Sequence, residues 1–311
     1  MTSIAIRLKI QIILLCALLA APPMTWATPA RHYVSPDAAV AALVDAVNSN
    51  NQAKLSRILG AHGRTLISSG DPVADKQGRA SFVKAYNEAH KLILASDVKA
   101  VLVIGKKDWP FPIPLVKNDH TWKFDTIQGE QEILDRRIGR NELNAIQVSL
   151  TIVDAEREYA AQHQDGVAKY ASRIVSAPGK RDGLYWQTSS NEPQSPLGPL
   201  VAAAAVEGYT PDRSWVLTPY HGYLYRILNA QGKDAPGGEY DYLARGMMLG
   251  GFAVIAYPER YGVSGIKTFI VNHDGVVFEK DMGRDTAAVA SGINAYNPDS
   301  SWNRVDPHPA K

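Results

Sequence analysis

The segment of the chain that most limits its possible folds is residues 130–163, which carry apolar side chains at helical spacing along their whole length. These side chains are Ile133, Ile138, Leu143, Ile146, Leu150, Val153 and Tyr159. Repetition at this spacing predicts an amphipathic helix, with a possible break at Gly139. The segment lies between a region of predicted helices and short strands and a region that is predicted to be mostly sheet. The pattern therefore predicts a helical spine that joins two halves of the molecule.

Before the spine, the sequence predicts helices followed by a small sheet. Ser35-Pro36 combines an N-cap residue with a proline in the first turn, and this pair predicts the start of the first helix. The further helices are predicted at 53–59 and 76–90, and the strands at 98–104, 111–116 and 120–124. The last strand, which contains Trp122 and Phe124, resembles the closing strand of cone-shaped nuclear-transport-factor-like domains. That resemblance implies a curved sheet that could be cone-like around the helices.

After the spine, the pattern changes to one typical of a mainly antiparallel sheet. Asp274-Gly275 between two apolar runs is a strong hairpin signal. The predicted strands are 222–230, 251–257, 266–272 and 276–280, with a short helix at 199–207 and a closing helix at 285–296.

The predicted fold class is therefore α+β: N-terminal helices packed on a small antiparallel sheet, a long spine helix, and a C-terminal sheet domain with a closing helix. The predicted divisions are a signal peptide at 1–27, an N-terminal α+β domain at 28–127, spine helices at 128–172 and a sheet-rich domain at 173–311.

The first residues have the order of a secretory signal peptide. Arg7 and Lys9 precede the apolar run 10–21, a Pro22-Pro23 pair follows, and Ala27 suits the position before a cleavage site. The run is shorter than the roughly 20 residues of a membrane-spanning helix. We therefore expect an exported protein, periplasmic or secreted, with no permanent membrane span after cleavage.

Cleavage would leave a mature chain that has neither cysteine nor a surplus of charge. The single cysteine, Cys16, lies in the leader, so disulfides and thiolate sites are not expected. Cleavage also removes two of the 33 basic residues and none of the 31 acidic ones, which leaves 31 of each. Without a basic surplus, nucleic acid is not an expected partner.

Several long motifs in register are shared with one family of exported bacterial proteins. They are Ser69-Gly70-Asp71-Pro72-Val73, residues 136–143, residues 195–200, Ala235-Pro236-Gly237-Gly238, residues 261–265, and Phe269-Ile270-Val271-Asn272 with Asp274-Gly275-Val276-Val277. On these motifs the whole mature chain resembles the family catalogued as domain of unknown function 2950. The resemblance implies no activity.

A second resemblance covers about residues 141–277. A helix, a Gly-Tyr strand and a Gly-rich turn leading to an Asp-Gly hairpin are similar to the headpiece of pilin-like secreted proteins. Pilins keep an apolar helix for assembly, whereas this leader looks removable. The resemblance therefore implies an adaptor or a binding domain.

The densest charged group predicts one candidate ligand site. On a helix, Arg136 and Arg140 lie on one face and could hold a carboxylate or phosphate, and Arg137 is adjacent to them. The alternative is a salt-bridge network with Glu132 and neighbouring acids that fastens the two halves together.

An aromatic and basic cluster at the start of a predicted strand offers a second site. Tyr220, His221, Tyr223 and Tyr225 could grip a sugar or a peptide, and strand alternation places Tyr223 and Tyr225 on one face. Ordinary packing within the sheet is the alternative for these tyrosines.

No catalytic, metal or cofactor set is predicted from the residues. The histidines lie far apart, and the S-x-x-K match at Ser81-Lys84 lacks its partner motifs. The favoured hypothesis is a non-enzymatic protein that binds an envelope protein or a cell-wall ligand. The alternatives are a cell-wall hydrolase using carboxylates such as Asp274 or Glu279, and a small-ligand carrier with an apolar cavity below Trp122 and Phe124.

Overall fold

The structure is a computed structural model that describes residues 29–162, 169–189, 191–210 and 218–305. The predicted signal peptide lies outside these residues. Within the described ranges, no helix is both long enough and apolar enough to cross a membrane. The architecture is α+β, with a long helix between an N-terminal and a C-terminal sheet, which confirms the predicted fold class.

The N-terminal half begins with helices whose ends follow local sequence signals. They are α1 (Pro36–Asn48), α2 (Gln52–Leu59), the short α3 (Arg64–Ile67) and α4 (Pro72–Glu88). The hydroxyl of Ser35 accepts the backbone N–H of Ala38 and so caps α1, as predicted. Gly60 ends α2 with a φ of +71°, because glycine adopts a positive φ with less steric strain than other residues do.

A five-stranded antiparallel sheet packs on these helices. Its strands are β1 (His90–Ser96), β2 (Lys99–Ile104), β3 (Trp109–Pro110), β4 (Leu115–Asn118) and β5 (Thr121–Phe124). The strand order is β1-β2-β4-β5, and β3 also pairs with β2. Trp122 and Phe124 are buried in a cluster of apolar side chains shared with α1 and α2.

A single helix, α5 (Thr126–Gln162), connects the two halves. It begins four residues earlier than predicted and continues through Gly139, so the predicted break does not occur. At about 1.5 Å per residue its 37 residues span about 55 Å. Ile133 near its start packs on the N-terminal cluster, whereas Ile152 and Tyr159 belong to the C-terminal cluster.

The C-terminal half is built on a second antiparallel sheet, which α5 covers on one face. The main elements are α6 (Gly198–Glu207), β6 (Tyr223–Leu228), β7 (Ala230–Gln231), β8 (Tyr240–Asp241), β11 (Ala253–Pro258), β12 (Lys267–Asn272), β13 (Val277–Asp281), α7 (Thr286–Gly292), β14 (Ala295–Tyr296) and β15 (Asn303–Arg304). The strand order of the main sheet is β15-β13-β12-β11-β6, and a smaller sheet has the order β14-β7-β8. A two-stranded ribbon of β9 (Leu243–Ala244) and β10 (Met247–Met248) completes the half. The predicted Asp274-Gly275 hairpin joins β12 to β13.

The helix predicted over residues 76–90 was wrong at both ends. Asp71 caps α4 and Pro72 takes its first turn, so the helix starts four residues earlier. His90 is the first residue of β1, a strand that was not predicted. Its ring stacks on Tyr86 with the centroids 3.8 Å apart, so these two residues keep the i,i+4 contact of a helix after the helix has ended.

The closing helix predicted over 285–296 was too long. It ends at Gly292, and Ile293 has an extended backbone. Ala295 and Tyr296 instead form β14, which pairs in parallel with Ala230 and Gln231 of β7. Because β7 is far away in sequence, no local pattern in residues 293–296 predicts that they pair with it.

Candidate functional site

A group of polar contacts joins the two halves of the molecule, and we call it the seam. Its residues are Asp71, Asn141, Glu142, Tyr209, Gly222, Ser264, Ile266 and Lys267. Among the described residues, the side chain of Asp71 forms more hydrogen bonds than any other side chain of the seam. Asp71 is 1% exposed. Its Oδ1 accepts the backbone N–H groups of Val73 and Ala74 at 3.1 and 2.9 Å, and this caps α4. Its Oδ2 accepts the hydroxyl of Tyr209 at 2.7 Å and the N–H of Gly222 at 3.0 Å. One carboxylate therefore starts an N-terminal helix and holds the first strand of the C-terminal sheet.

The spine contributes two more side chains to this seam. Asn141 donates from Nδ2 to the carbonyl of Ser264 at 2.9 Å. Oε1 of Glu142 accepts the N–H groups of Ile266 and Lys267, both at 3.0 Å. These contacts fix the loop between β11 and β12 against α5.

The seam has no room for a side chain at residue 222. A Cβ placed on Gly222 would lie 2.6 Å from Nδ2 of Asn141, and its φ is +77°. Together with His221, which has a φ of +52°, it forms a two-residue turn closed by Tyr220 and Tyr223. Positive φ at both positions is the requirement of a type I′ turn. The turn aims the N–H of Gly222 at Asp71.

The three predicted arginines make different contacts. Arg136 forms the expected i,i+4 ion pair with Glu132, and its guanidinium lies 5.3 Å from the ring centroid of Trp109. Arg137 donates to the carbonyls of Thr65 and Leu66 at 2.6 and 2.8 Å, which ties α5 to α3.

Arg140 is exposed, and no described residue forms a hydrogen bond or ion pair with its guanidinium. Burial lowers the pKa of the Arg137 guanidinium, and the positive charge of Arg140 adds to that effect. Of the three arginines, Arg140 is thus the one whose donors remain available.

Among the predicted tyrosines, Tyr223 and Tyr225 are buried parts of the sheet. Tyr223 donates its hydroxyl to the carbonyl of Lys267 at 2.9 Å, and Tyr225 donates to the carbonyl of Tyr220 at 3.4 Å. They point to the same face, as strand alternation predicts, and that face is the C-terminal core. A Cβ on Gly265 would lie 2.2 Å from the Tyr223 hydroxyl oxygen, so the loop passes close over this ring. The structure gives these two side chains a packing role, and their ligand contacts stay predictions.

Tyr220 and His221 form a ring cluster with Tyr209 beside the seam. The centroids of Tyr220 and His221 are 4.1 Å apart, and those of Tyr220 and Tyr209 are 4.9 Å apart. Nε2 of His221 lies 3.5 Å from Oε2 of Glu207. Burial raises the pKa of Tyr220 to about 12, and the charges of Glu207 and Asp71 act in the same direction.

His221 lies at the seam, close to the charged groups of Glu207, Asp71 and Arg140. Burial lowers the pKa of the His221 imidazole, and Arg140 adds to the lowering, whereas Glu207 and Asp71 oppose it. His221 lines neither of the two surface clefts described below.

One of these clefts opens beside the seam. We call it the arginine cleft; its lining is Glu259, Arg260, Tyr261, Gly262, Val263, Arg284 and Ala287. Its volume is about 610 Å³. Arg260 donates from Nη1 to the carbonyl of Ser68 at 2.8 Å, so one wall of the cleft also touches the N-terminal half. No described residue forms a hydrogen bond or ion pair with the guanidinium of Arg284.

The loop that lines the arginine cleft is closed by its own hydrogen bonds. The hydroxyl oxygen of Ser264 accepts the N–H of Arg260 at 2.9 Å, and the carbonyl of Arg260 accepts the N–H groups of Val263 and Ser264. The N–H of Gly262 reaches the carbonyl of Gly265 at 2.9 Å. The predicted glycine-rich turn between strands is thus a constrained loop that holds Arg260 and Tyr261 at the edge of the cleft.

A second cleft, of about 530 Å³, lies between β13 and α7 and is mostly apolar. Met282, Val289, Ile293 and Trp302 are among its lining residues. Nζ of Lys280 lies 5.7 Å from the ring centroid of Trp302.

The residues named for the two alternative functions lie outside both clefts. The side-chain amide of Asn272 donates a hydrogen bond to the carboxylate of Asp274 in the hairpin turn. Oε1 of Glu279 lies 3.6 Å from Nζ of Lys267. Trp122 and Phe124 pack within the N-terminal cluster, Phe124 against Phe111. Across the described residues, no three or more His, Cys, Asp or Glu side chains come together as metal ligands.

The fold and the seam define an α+β protein in which a long helix fastens two separately packed clusters. The model of the family described as protein of unknown function (DUF2950) matches residues 30–305, and the chain belongs to this family. The chain has no significant match among curated proteins, and none among solved structures. No comparison supports the pilin-like resemblance of residues 141–277.

Three of the motifs that carry the family resemblance meet at the seam. Residues 69–73 supply Asp71, residues 136–143 supply Asn141 and Glu142, and residues 261–265 supply the loop over the arginine cleft. Sequence reasoning did not select Asp71, Glu142, Arg260 or Arg284 as site residues. Asp71 and Glu142 lie within these motifs and Arg260 directly precedes one, so the motifs could have pointed to these three residues. Arg284 lies in none of the motifs, and nothing in the sequence pointed to it.

Proposed function

We propose that this protein is a non-enzymatic binding protein of the bacterial envelope, periplasmic or secreted, and that it holds an anionic cell-wall ligand in the arginine cleft. The observation that carries the proposal is the pair of Arg260 and Arg284 on the lining of one cleft, with Arg284 unpaired among the described residues.

The chemistry of the lining suits a carboxylate attached to a partly apolar body. An arginine guanidinium can bind a carboxylate through two parallel hydrogen bonds. Tyr261 and Val263 offer apolar contact next to these donors. Burial raises the pKa of Glu259, and the positive charge of Arg260 opposes that rise.

The size of the cleft and the charge of the chain support the same conclusion. A volume of about 610 Å³ lies within the usual range of small-ligand sites. Since the chain without its leader carries as many acidic as basic residues, attraction of an anion has to come from a local arrangement of arginines.

The test is calorimetric titration of the protein with muropeptides that end in a free carboxylate, compared with the same muropeptides after amidation. We expect the free carboxylate to bind and the amide to bind more weakly. Arg284→Ala should weaken binding at least tenfold, because a tenfold loss corresponds to about 1.4 kcal/mol and a charge-assisted pair is worth that much.

The matched control is Arg304→Ala, which removes an exposed arginine of β15 that does not line the arginine cleft. It should leave the affinity unchanged. Equal loss in both variants, or no binding by the unmodified protein, would refute the proposal. Cleavage of the muropeptides during the titration would favour the hydrolase instead.

A further inference from the structure

Strand β1 is an open edge of the N-terminal sheet. Within the described part of the chain it pairs only with β2, and the sheet order places it at one end. Six of its seven residues are exposed. The backbone N–H and C=O groups on its outer side therefore face solvent, where a further strand could pair with them.

Exposed apolar side chains make this edge unusual. Ile93, Leu94 and Val98 at the β1–β2 hairpin are 47%, 66% and 56% exposed. Edge strands are commonly protected by proline or by free lysines, but β1 has no proline and Nζ of its Lys91 lies 2.9 Å from the carboxylate of Asp108. The outer side of β1 thus combines open backbone groups with apolar contact area.

The sequence of β1 is complementary to itself in the antiparallel direction. If two copies pair about Ile93, Leu92 lies opposite Leu94, Lys91 opposite Ala95 and His90 opposite Ser96. This register places the exposed Ile93 and Leu94 side chains at the centre of the pair and opposes no two like charges. Apolar pairs of this kind each stabilise a sheet by roughly 0.2–1 kcal/mol.

Charges beside the strand fit the same arrangement. Lys106 and Lys107 are exposed in the turn that follows β2, next to the His90 end of β1. Asp97 is exposed at the opposite end, after Ser96. In an antiparallel pair centred on Ile93, Asp97 of each copy lies at the same end of the strand pair as Lys106 and Lys107 of the other copy, so opposite charges are brought to both ends of the interface.

We propose that the protein forms a two-fold dimer through β1, in which the two N-terminal sheets become one continuous antiparallel sheet. The dimer is independent of the arginine cleft, which lies on the C-terminal half. The pairing of one short strand buries less area than a standard interface of about 800 Å² per partner, so we expect a weak dimer whose population depends on concentration.

Sedimentation equilibrium over a wide range of concentrations tests the proposal. The unmodified protein should shift from monomer to dimer as the concentration rises. Ile93→Lys should remain monomeric, because it sets two like charges opposite each other at the symmetry axis. Val206→Lys is the matched control, since Val206 is 91% exposed and lies on α6, outside the N-terminal sheet. It should dimerise normally.

A cross-linking variant tests the register directly. Because Cys16 in the leader is the single cysteine, Ile93→Cys introduces one thiol into the mature chain. Opposite residues of antiparallel strands have Cα atoms about 4.5–5.5 Å apart, a separation that a disulfide can bridge. Oxidation should yield a covalent dimer with Ile93→Cys and none with Val206→Cys.

Charge reversal supplies the last check. Asp97→Lys should weaken the dimer, and adding Lys106→Glu with Lys107→Glu should restore it. Overturning results would be a monomer at every concentration, or a dimer whose affinity Ile93→Lys leaves unchanged. If the protein were a monomer at every concentration, the partner to test next at this edge would be an extended segment of another envelope protein.

Discussion

At the scale of single residues, Glu156 is a carboxyl group that the fold holds away from water. It is 0% exposed on the face of α5 that packs on the C-terminal sheet. Oε2 accepts the N–H of Ala171 at 2.8 Å, whereas Oε1 has no hydrogen-bond partner among the residues that the structure describes. Burial raises the pKa of Glu156 to about 8, and the bond from Ala171 offsets only part of that rise.

The raised pKa makes the free energy of unfolding depend on pH. Between about pH 4.5, where the unfolded carboxyl titrates, and about pH 8, the folded state keeps a proton that the unfolded state has lost. The stability contributed by Glu156 is therefore fully present below this window, falls as pH rises through it, and is constant above. The slope is at most about 1.4 kcal/mol per pH unit.

Glu156→Gln should remove this dependence, because glutamine mimics the protonated carboxyl. The variant should gain stability relative to the unmodified protein as pH rises from 5 to 8, measured by urea unfolding at several pH values. Glu158→Gln on the exposed face of α5 is the control and should show no such trend. A constant difference between Glu156→Gln and the unmodified protein across this range would contradict the prediction.

At the scale of elements, α5 contains two glycines in opposite surroundings. A Cβ on Gly139 would meet nothing within 4 Å, whereas a Cβ on Gly129 would lie 2.6 Å from the carbonyl oxygen of Pro112 and 2.7 Å from Cα of Ile113. Gly139→Ala should stabilise the protein by about 0.5–1 kcal/mol, because alanine loses less backbone entropy in a helix.

Gly129→Ala should destabilise the protein, since the backbone of the loop before β4 would have to move. Thermal unfolding of both variants checks the pair. If Gly139→Ala also lowered the midpoint, α5 would not be continuous at that position.

Elements with local signals could be predicted from the sequence, and elements that depend on distant partners could not. Ser35-Pro36 starts α1 and Asp274-Gly275 turns a hairpin, because each pair acts on its own backbone. β14 is defined by its pairing with β7, and the local sequence does not show this pairing. The predicted closing helix therefore continued through residues 293–296. Likewise, the apolar side chains of β1 face solvent and show no alternation between core and surface.

At the scale of the whole molecule, the candidate site joins residues that are far apart in sequence. Asp71 meets Gly222 across 151 positions, and Asn141 meets Ser264 across 123. The helix was predicted to start only at residue 76, so sequence reasoning missed both roles of Asp71, the cap of α4 and the contact with Gly222. Arg136, Arg137 and Arg140 were found because a helix places them near one another. Arg260 and Arg284 come together only when β11, β12 and α7 have packed.

The seam should make the two halves unfold together, and Asp71→Asn tests this coupling. The amide oxygen can still cap α4, and Tyr209 can turn its hydroxyl to accept from the new NH₂ group. The N–H of Gly222 then faces another donor and loses its acceptor. An unsatisfied buried donor costs about 1–3 kcal/mol, so urea unfolding should report a loss of that size.

Ser35→Ala separates the capping effect from the coupling, because Ser35 caps α1 without a contact across the seam. That cap alone should cost about 1 kcal/mol. Asp71→Asn should in addition shift the transition seen by tryptophan fluorescence and the one seen by circular dichroism by the same amount, since both halves depend on one carboxylate. Two separated transitions in the unmodified protein would show that each cluster is stable alone, and the seam would then position the arginine cleft without holding the fold together.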